Sequence, residues 1–256
     1  MLHLFRTNML KAVYHQRESD RTLKELVRNY DIQVKDTTRQ MNRIKAIYRG
    51  RAIKSSASLY KPKEREYWLG MLKEPGARLR AQCLLETLDY QRQMRQKARA
   101  AMIAESRQHK DSKALLTIRQ FGPVRVAQLI AHVGTPKRFR SKAQFWAYCG
   151  LAVVTQSSAD YTTRNGELYR NRKNVQTRGL NRNHNPYLKE LFKSAATAAI
   201  GFGEFKQYYE QRIAQGMRPE MVRLCVARKL AAIALVIYKK GEHYDPTRVT
   251  KSEAIA

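Results

Sequence analysis

The sequence is poor in the residues that build disulfides and zinc sites. It has three cysteines, all more than 60 residues apart, and no close pair of the kind found in zinc knuckles. The six histidines are equally scattered. We therefore expect Cys83, Cys149 and Cys225 to be reduced and to pack as small apolar groups rather than to bind metal.

Long apolar runs are also missing. The longest covers about nine residues, Leu230 to Tyr238, which is well short of the roughly 20 needed to span a bilayer. The N-terminal segment lacks a signal-peptide pattern. These absences argue against a membrane partner and favour a cytoplasmic location.

Acidic residues are scarce. The chain has 21 Asp and Glu against 50 Lys and Arg, which leaves a formal net charge of +29. Such an excess favours a polyanionic partner, because each phosphate neutralised by Lys or Arg releases condensed counterions. Since 43% of the residues are apolar, a packed core is also possible. The composition therefore predicts a folded protein that binds nucleic acid.

Helical periodicity dominates the chain. Residues 19–53 have apolar side chains at helical spacing, with Ser19 as the expected cap. The opposite face is basic, which fits either a solvated surface or a stripe along nucleic acid. Residues 77–116 contain no proline or glycine and have a thin apolar seam, so this helix needs a partner in a hairpin, a coiled coil or a dimer.

The second half of the chain is expected to be compact. Helical patterns surround residues 152–182, where periodicity is lost, and resume with Asn185 as an N-cap before Pro186. We predict a mainly α fold, with a long helical hairpin or coiled-coil arm joined to a compact helical domain that carries a helix-hairpin-helix-like turn and an irregular basic loop. The predicted divisions are residues 1–65, 66–112 and 113–256, the last being the DNA-binding domain.

The stretch TIRQFGPVRVAQLI predicts a tight turn between two helices that resembles a helix-hairpin-helix. In that motif the backbone N–H groups of the turn and of the following helix face a DNA phosphate. A glycine allows the phosphate to approach closely. Gly122 and Arg125 are therefore candidate nucleic-acid contacts, and a plain packing corner is the alternative.

A basic segment follows at residues 164–182, RNGELYRNRKNVQTRGLNR. It contains six Lys or Arg and one acid, together with several asparagines. Guanidinium and amide groups suit contacts to phosphates and base edges, although a solvated loop is the simpler alternative. The candidate nucleic-acid contacts here are Arg164, Arg170, Arg172, Lys173, Arg178 and Arg182.

Two adjacent serines, Ser157 and Ser158, precede this basic segment. A serine hydroxyl can attack phosphorus in DNA and hold the cut end as a phosphoserine link. The hydroxyl is weakly acidic, so it needs a base or a metal to accept its proton and cations to stabilise the pentavalent phosphorus. On chemistry alone, two solvent-facing loop serines are the alternative.

The order of several motifs carries a family resemblance. The stretch LLTIRQFGPVRVAQLIAHVGTPKRFRSKAQFWAYCGLAVVTQSSADY is followed in order by RGLNRNHNPYLKEL, SAATAAI, FKQYYEQRIAQG and VARKLAAIALVIYKKGEHYDP. This series resembles the C-terminal domain of the IS110 group of insertion-sequence transposases. The similarity runs from about Leu115 to Pro246.

The resemblance implies an RNA-guided recombinase whose partners are DNA and a guide RNA, with assembly as a homo-oligomer. The family serine is implied to become joined to DNA. Ser158 matches it best by position, and Ser157 is the second choice. The sequence departs from the family pattern at Ala159, where a glycine is usual, and at Val153, where a proline is usual.

The resemblance also implies a RuvC-like domain whose four acidic residues hold magnesium, and these acids would precede Met1. We assign no metal ligand within this chain, because Asp20, Asp31 and Asp36 lie on a basic, helical background. Residues 1–65 are then a helical remnant that follows a missing domain. We expect an incomplete transposase that is inactive alone, or alternatively a non-catalytic DNA- or RNA-binding remnant or regulator.

Overall fold

The structure is a computed structural model that describes Arg6 and residues 18–155, 161–170 and 177–246. These residues are mainly helical, which confirms the predicted fold class. They divide into two compact units, one at Thr22–Gln108 and the other formed by the described residues before Thr22 and from His109 onwards. No helix in the described part of the chain is both long enough and apolar enough to cross a membrane.

The first unit contains two long helices and a short one. The prediction that Ser19 caps the first helix is wrong, because that helix begins at Glu18 and includes Ser19. Two short 3-10 helices, Ala57–Tyr60 and Pro62–Glu64, lie in the segment that connects the first long helix to the short one. The α-helices are α1 Glu18–Arg49, α2 Arg65–Gly70 and α3 Pro75–Gln108.

The two long helices pack against each other as a helical hairpin. The amide of Gln40 on α1 is buried and donates a 3.0 Å hydrogen bond from Nε2 to the carbonyl of Leu84 on α3. The C-terminal part of α1 and the N-terminal half of α3 also share one apolar cluster. Its members are Ile44, Ile47, Tyr48, Leu59, Trp68, Leu69, Leu72, Ala77, Ala81, Leu85 and Leu88.

The second unit is built around one central helix. The helices of this unit are α4 Ser112–Leu116, α5 Pro123–Val133, α6 Lys142–Tyr148, α7 Pro186–Ala199, α8 Glu204–Ala214 and α9 Pro219–Lys240. The central helix, α9, packs against α4, α6, α7 and α8, and α5 packs against α4 and α7.

The cysteines of the chain differ in environment. Cys149 is buried in the second unit, whereas Cys83 of the first unit is exposed, so the expectation that all three pack as buried apolar groups was wrong for Cys83.

The described residues in and before the basic segment form strands, which corrects the prediction of an irregular loop. Four short strands lie between residues 153 and 180: β1 Val153–Thr155, β2 Tyr161–Arg164, β3 Glu167–Arg170 and β4 Thr177–Leu180. β1 pairs with β4 and β2 pairs with β3, both in antiparallel fashion. Asn165 and Gly166 join β2 to β3 with φ values of 50° and 82°, as a two-residue hairpin turn requires.

Candidate nucleic-acid interface

A tight turn connects α4 to α5 and exposes the N-terminus of α5. Ile118 and Phe121 are buried on the inner side of the turn, whereas Gly122 is exposed. Pro123 occupies the first helical position, where its missing N–H would have no partner within the helix. The remaining N–H groups of the first turn have no carbonyl partner within α5, so they are donors available to an anion at this surface.

The backbone at Gly122 does not itself require a glycine. Its φ is −77° and its ψ is 171°, which any residue can adopt. A Cβ atom added at this position would meet no atom within 4 Å. No described residue around Gly122 therefore requires a glycine, and its lack of a side chain would matter only to a ligand, such as a phosphate, lying against the turn.

Arg125 supports this turn from the first turn of α5. One of its guanidinium nitrogens, Nη1, donates a 2.9 Å hydrogen bond to the carbonyl oxygen of Gln120. Burial lowers the pKa of Arg125 from its usual value, but a guanidinium remains charged at any physiological pH. Because a guanidinium has five N–H donors, Arg125 can hold the turn and still offer donors to an anion.

The predicted cationic contacts of the basic segment lie along the strands. Arg164 ends β2, Arg170 ends β3 and Arg178 lies within β4. Arg182 is exposed in the turn that leads to α7. Arg172 and Lys173 lie outside the described residues.

The candidate nucleophiles Ser157 and Ser158 also lie outside the described residues, but the residues on both sides of them are described. Thr155 at the end of β1 is paired with Thr177 of β4, and Tyr161 at the start of β2 is paired with Arg170 of β3. Segment 156–160 joins the end of β1 to the start of β2, and segment 171–176 joins the end of β3 to the start of β4. Because these strand ends are paired, both segments run between the same two places. The first segment contains both serines, and the second contains two of the predicted cations.

The β1–β4 ribbon is attached to the helical core by polar contacts near its base. The guanidinium Nε of Arg228 on α9 donates a 2.7 Å hydrogen bond to the carbonyl of Leu151, and the indole of Trp146 donates one of 2.9 Å to the carbonyl of Arg228. Asn181 donates from its backbone N–H to the carbonyl of Ala152 at 3.0 Å. These contacts fix the direction in which the ribbon leaves the core.

Gly150 lies where the β1–β4 ribbon joins the core, close to the side chain of His184. It has a φ of +68°, and a Cβ atom there would lie 2.6 Å from two ring carbons of His184. Both the backbone conformation and the space therefore require glycine at this position. The close packing holds the segment after α6 against the segment before α7.

A groove lies beside the ribbon, and sequence reasoning missed it. It has a volume of about 380 Å³, and its walls come from β1, β4, α7 and α9. These segments are far apart in the sequence, so no local pattern could have indicated that they meet. The lining residues are Val153, Gly179, Leu180, Lys193, Thr197, Glu220, Met221, Arg223 and Leu224.

The acidic residues of the described chain do not form the set that magnesium needs. Among the described residues, no group of three or more His, Cys, Asp or Glu is placed to hold a metal ion. Asp36, for example, instead pairs with Arg39 on the same helix at 3.1 Å. The residues present therefore do not fit the carboxylate cluster with which hard cations are bound.

Comparison with known protein families gives one finding. Residues 112–210 match the model described as Transposase IS116/IS110/IS902 family. The matched segment is less than half of the chain, begins at α4 and includes the tight turn, both strand pairs and α7. A search of curated proteins gave no match.

Proposed function

We propose that this chain, whose residues 112–210 form a transposase domain of the IS116/IS110/IS902 family, binds DNA and presents a serine hydroxyl to a phosphodiester. The observation that carries the proposal is the strand pairing on either side of the serines. Because Thr155 pairs with Thr177 and Tyr161 pairs with Arg170, the serine-containing segment and a cationic segment begin and end at the same places.

The net charge of +29 supports a polyanionic substrate. Arg164, Arg170 and Arg178 belong to β2, β3 and β4, and these cations would stabilise the extra negative charge of a pentavalent phosphorus. The exposed N-terminus of α5 at Gly122 offers a second phosphate contact of a different kind, through backbone N–H groups and the helix dipole. DNA that contacts both the strands and the N-terminus of α5 would be bound by two separate parts of residues 112–210.

The chemical step proposed for the serine is a transesterification. The Oγ atom of Ser158, or of Ser157, forms a bond to phosphorus while the bond from phosphorus to a deoxyribose oxygen breaks. The hydroxyl proton passes to a base, and the departing oxygen takes up a proton, so that one phosphodiester is exchanged for another. The described residues of this chain contribute binding and orientation to that step.

Magnesium is assigned no ligand among the described residues, because no group of three or more of their His, Cys, Asp or Glu side chains is placed to hold it. A guide RNA is proposed as a second polyanionic partner on the strength of the family resemblance. The exposed basic face of α1 is a candidate surface for it; its exposed cations include Arg28, Lys35, Arg39, Arg43, Lys45 and Arg49.

The serine proposal is tested by trapping protein-linked DNA. The purified chain is incubated with Mg²⁺, a separately supplied RuvC-like domain of the same family, a supercoiled plasmid carrying its gene and flanking DNA, and RNA transcribed from that flanking DNA. Adducts are then resolved on a denaturing gel. We expect an adduct with the wild type, none with Ser158→Ala or with the double variant Ser157→Ala/Ser158→Ala, and a normal amount with the control Ser194→Ala, a serine on α7 outside the ribbon.

The outcomes separate the parts of the proposal. An adduct that survives in the double variant would show that neither serine is the nucleophile. DNA binding by the wild type without any adduct would favour the alternative of a non-catalytic nucleic-acid-binding protein. Loss of the adduct in Ser157→Ala alone would move the role from Ser158 to Ser157.

A further inference from the structure

We propose that the groove beside the β1–β4 ribbon binds an unpaired nucleobase of a single-stranded nucleic acid, with Lys193 and Arg223 contacting the flanking phosphates. This inference rests on the proposed function and specifies it further, because it names the form of nucleic acid that this surface takes. The site lies within the second unit, between the ribbon and the helices α7 and α9.

The first argument is the apolar character of an exposed surface. Val153 of β1 and Met221 of α9 retain 38% and 47% of their accessible surface, and both line the groove together with Leu180 and Leu224. Apolar side chains gathered in a concave surface are typical of a binding site. The volume of about 380 Å³ falls within the range found for small-ligand sites, roughly 300–1,000 Å³.

The second argument is the charge at its edges. Lys193 comes from α7 and Arg223 from α9, and both side chains are exposed. Among the described residues, neither cation forms an ion pair. An apolar groove with two unneutralised cations complements a ligand that has a flat apolar part and flanking negative charges, as a nucleotide within a strand does.

The third argument is the presence of one acid among these groups. Glu220 lines the groove from the first turn of α9, where the helix dipole stabilises its negative charge. A simple anion would be repelled by this carboxylate. A nucleobase can instead donate a hydrogen bond to it from an amino group, as cytosine does through N4.

The wall formed by β4 leaves room for a strand to enter. Gly179 has a φ of +89°, and a Cβ atom at this position would meet no atom within 4 Å. The groove is therefore open on the side of the ribbon. A base within a duplex could not use this opening, because its faces are stacked and its edge is paired, and unstacking costs a few kcal/mol.

The test compares two substitutions on the same helix. Met221→Glu puts a negative charge into the groove, whereas Val236→Glu puts the same charge on α9 at a residue that does not line it. The two residues have similar exposure, 47% and 45%. The affinities of the two variants are measured by fluorescence anisotropy with a labelled oligodeoxycytidine strand of about 12 nucleotides, within the range of known single-strand sites, and with a duplex of equal length.

We expect Met221→Glu to weaken single-strand binding by about 5- to 100-fold relative to Val236→Glu, the range for losing the contacts of one base. Duplex binding should be equal in the two variants. Equal thermal unfolding of both variants is the control for folding. A strand carrying 5-iodocytidine should also crosslink, under light, to wild-type peptides that contain Met221 or Val153.

Two failures are distinguishable. If the wild type binds neither strand nor duplex, the proposed function itself is wrong. If it binds both, and the two variants bind the strand equally with crosslinks only elsewhere, then this inference alone is overturned, and the groove takes another occupant such as a peptide.

Discussion

At the scale of single residues, two glycines show how differently the same amino acid can be used. Gly150 serves the fold, since its positive φ and its contact with His184 exclude a side chain. Gly122 has an ordinary backbone conformation and free space around it. The sequence indicated Gly122 as a phosphate contact, whereas the structural need for Gly150 became apparent only when His184 was placed beside it.

The two glycines therefore predict opposite results for alanine. Gly122→Ala should change the free energy of unfolding by less than about 1 kcal/mol, the scale of a poor N-cap residue, and should weaken DNA binding several-fold because a methyl group holds the phosphate away. Gly150→Ala should destabilise the chain by about 2 kcal/mol or more, from backbone strain and a steric clash.

Urea unfolding and DNA-binding titrations of both variants check this prediction. Comparable losses of stability in the two variants would show that Gly122 serves the fold instead of the phosphate. Unchanged DNA affinity in Gly122→Ala would remove the turn from the interface.

At the scale of elements, the start of α7 was predictable from Asn185, its N-cap, and Pro186, its first helical residue. The side chain of Asn185 accepts hydrogen bonds from the backbone N–H groups of Tyr187 and Leu188, at 3.0 and 3.2 Å, and Pro186 follows it. Both features are local, so a sequence pattern is sufficient to indicate them. The end of α9 was equally predictable, because Gly241 takes the left-handed conformation that ends helices.

Removing this cap should have a measurable cost. We expect Asn185→Ala to lower the free energy of unfolding by about 1 kcal/mol, because two N–H groups lose their acceptor. Asn185→Asp should retain most of the stability, since a carboxylate also caps. Thermal unfolding of these variants, beside Asn183→Ala as a nearby asparagine that caps no helix, checks the prediction; a similar loss in Asn183→Ala would contradict it.

The strands were the elements that the sequence analysis missed. A local signal was present, because Asn165-Gly166 is a strong indicator of a two-residue hairpin turn. The pairing of β1 with β4 had no comparable signal. Val153 and Leu180 are 27 positions apart in the sequence, and a short strand gains its stability from a partner that only the folded chain provides.

At the scale of the whole molecule, the charge predicts strong salt dependence. A chain with a net charge of +29 that contacts about six or more phosphates should lose about 10³-fold or more in DNA affinity between roughly 50 and 200 mM salt. Anisotropy titrations across this range provide the measurement. A flat response to salt would exclude a phosphate-dominated interface.

By itself, the sequence determined the properties that depend on composition or on neighbouring residues: the mainly helical class, the cationic excess, the cap of α7 and the tight turn before α5. The order of its motifs also indicated the transposase family. Tertiary structure alone decided which distant segments meet, including the strand ends on both sides of the serines and the groove between β1, β4, α7 and α9. The reason is physical, because helix formation and charge are encoded within a few residues, whereas a concave surface requires side chains that are brought together only by packing of the core.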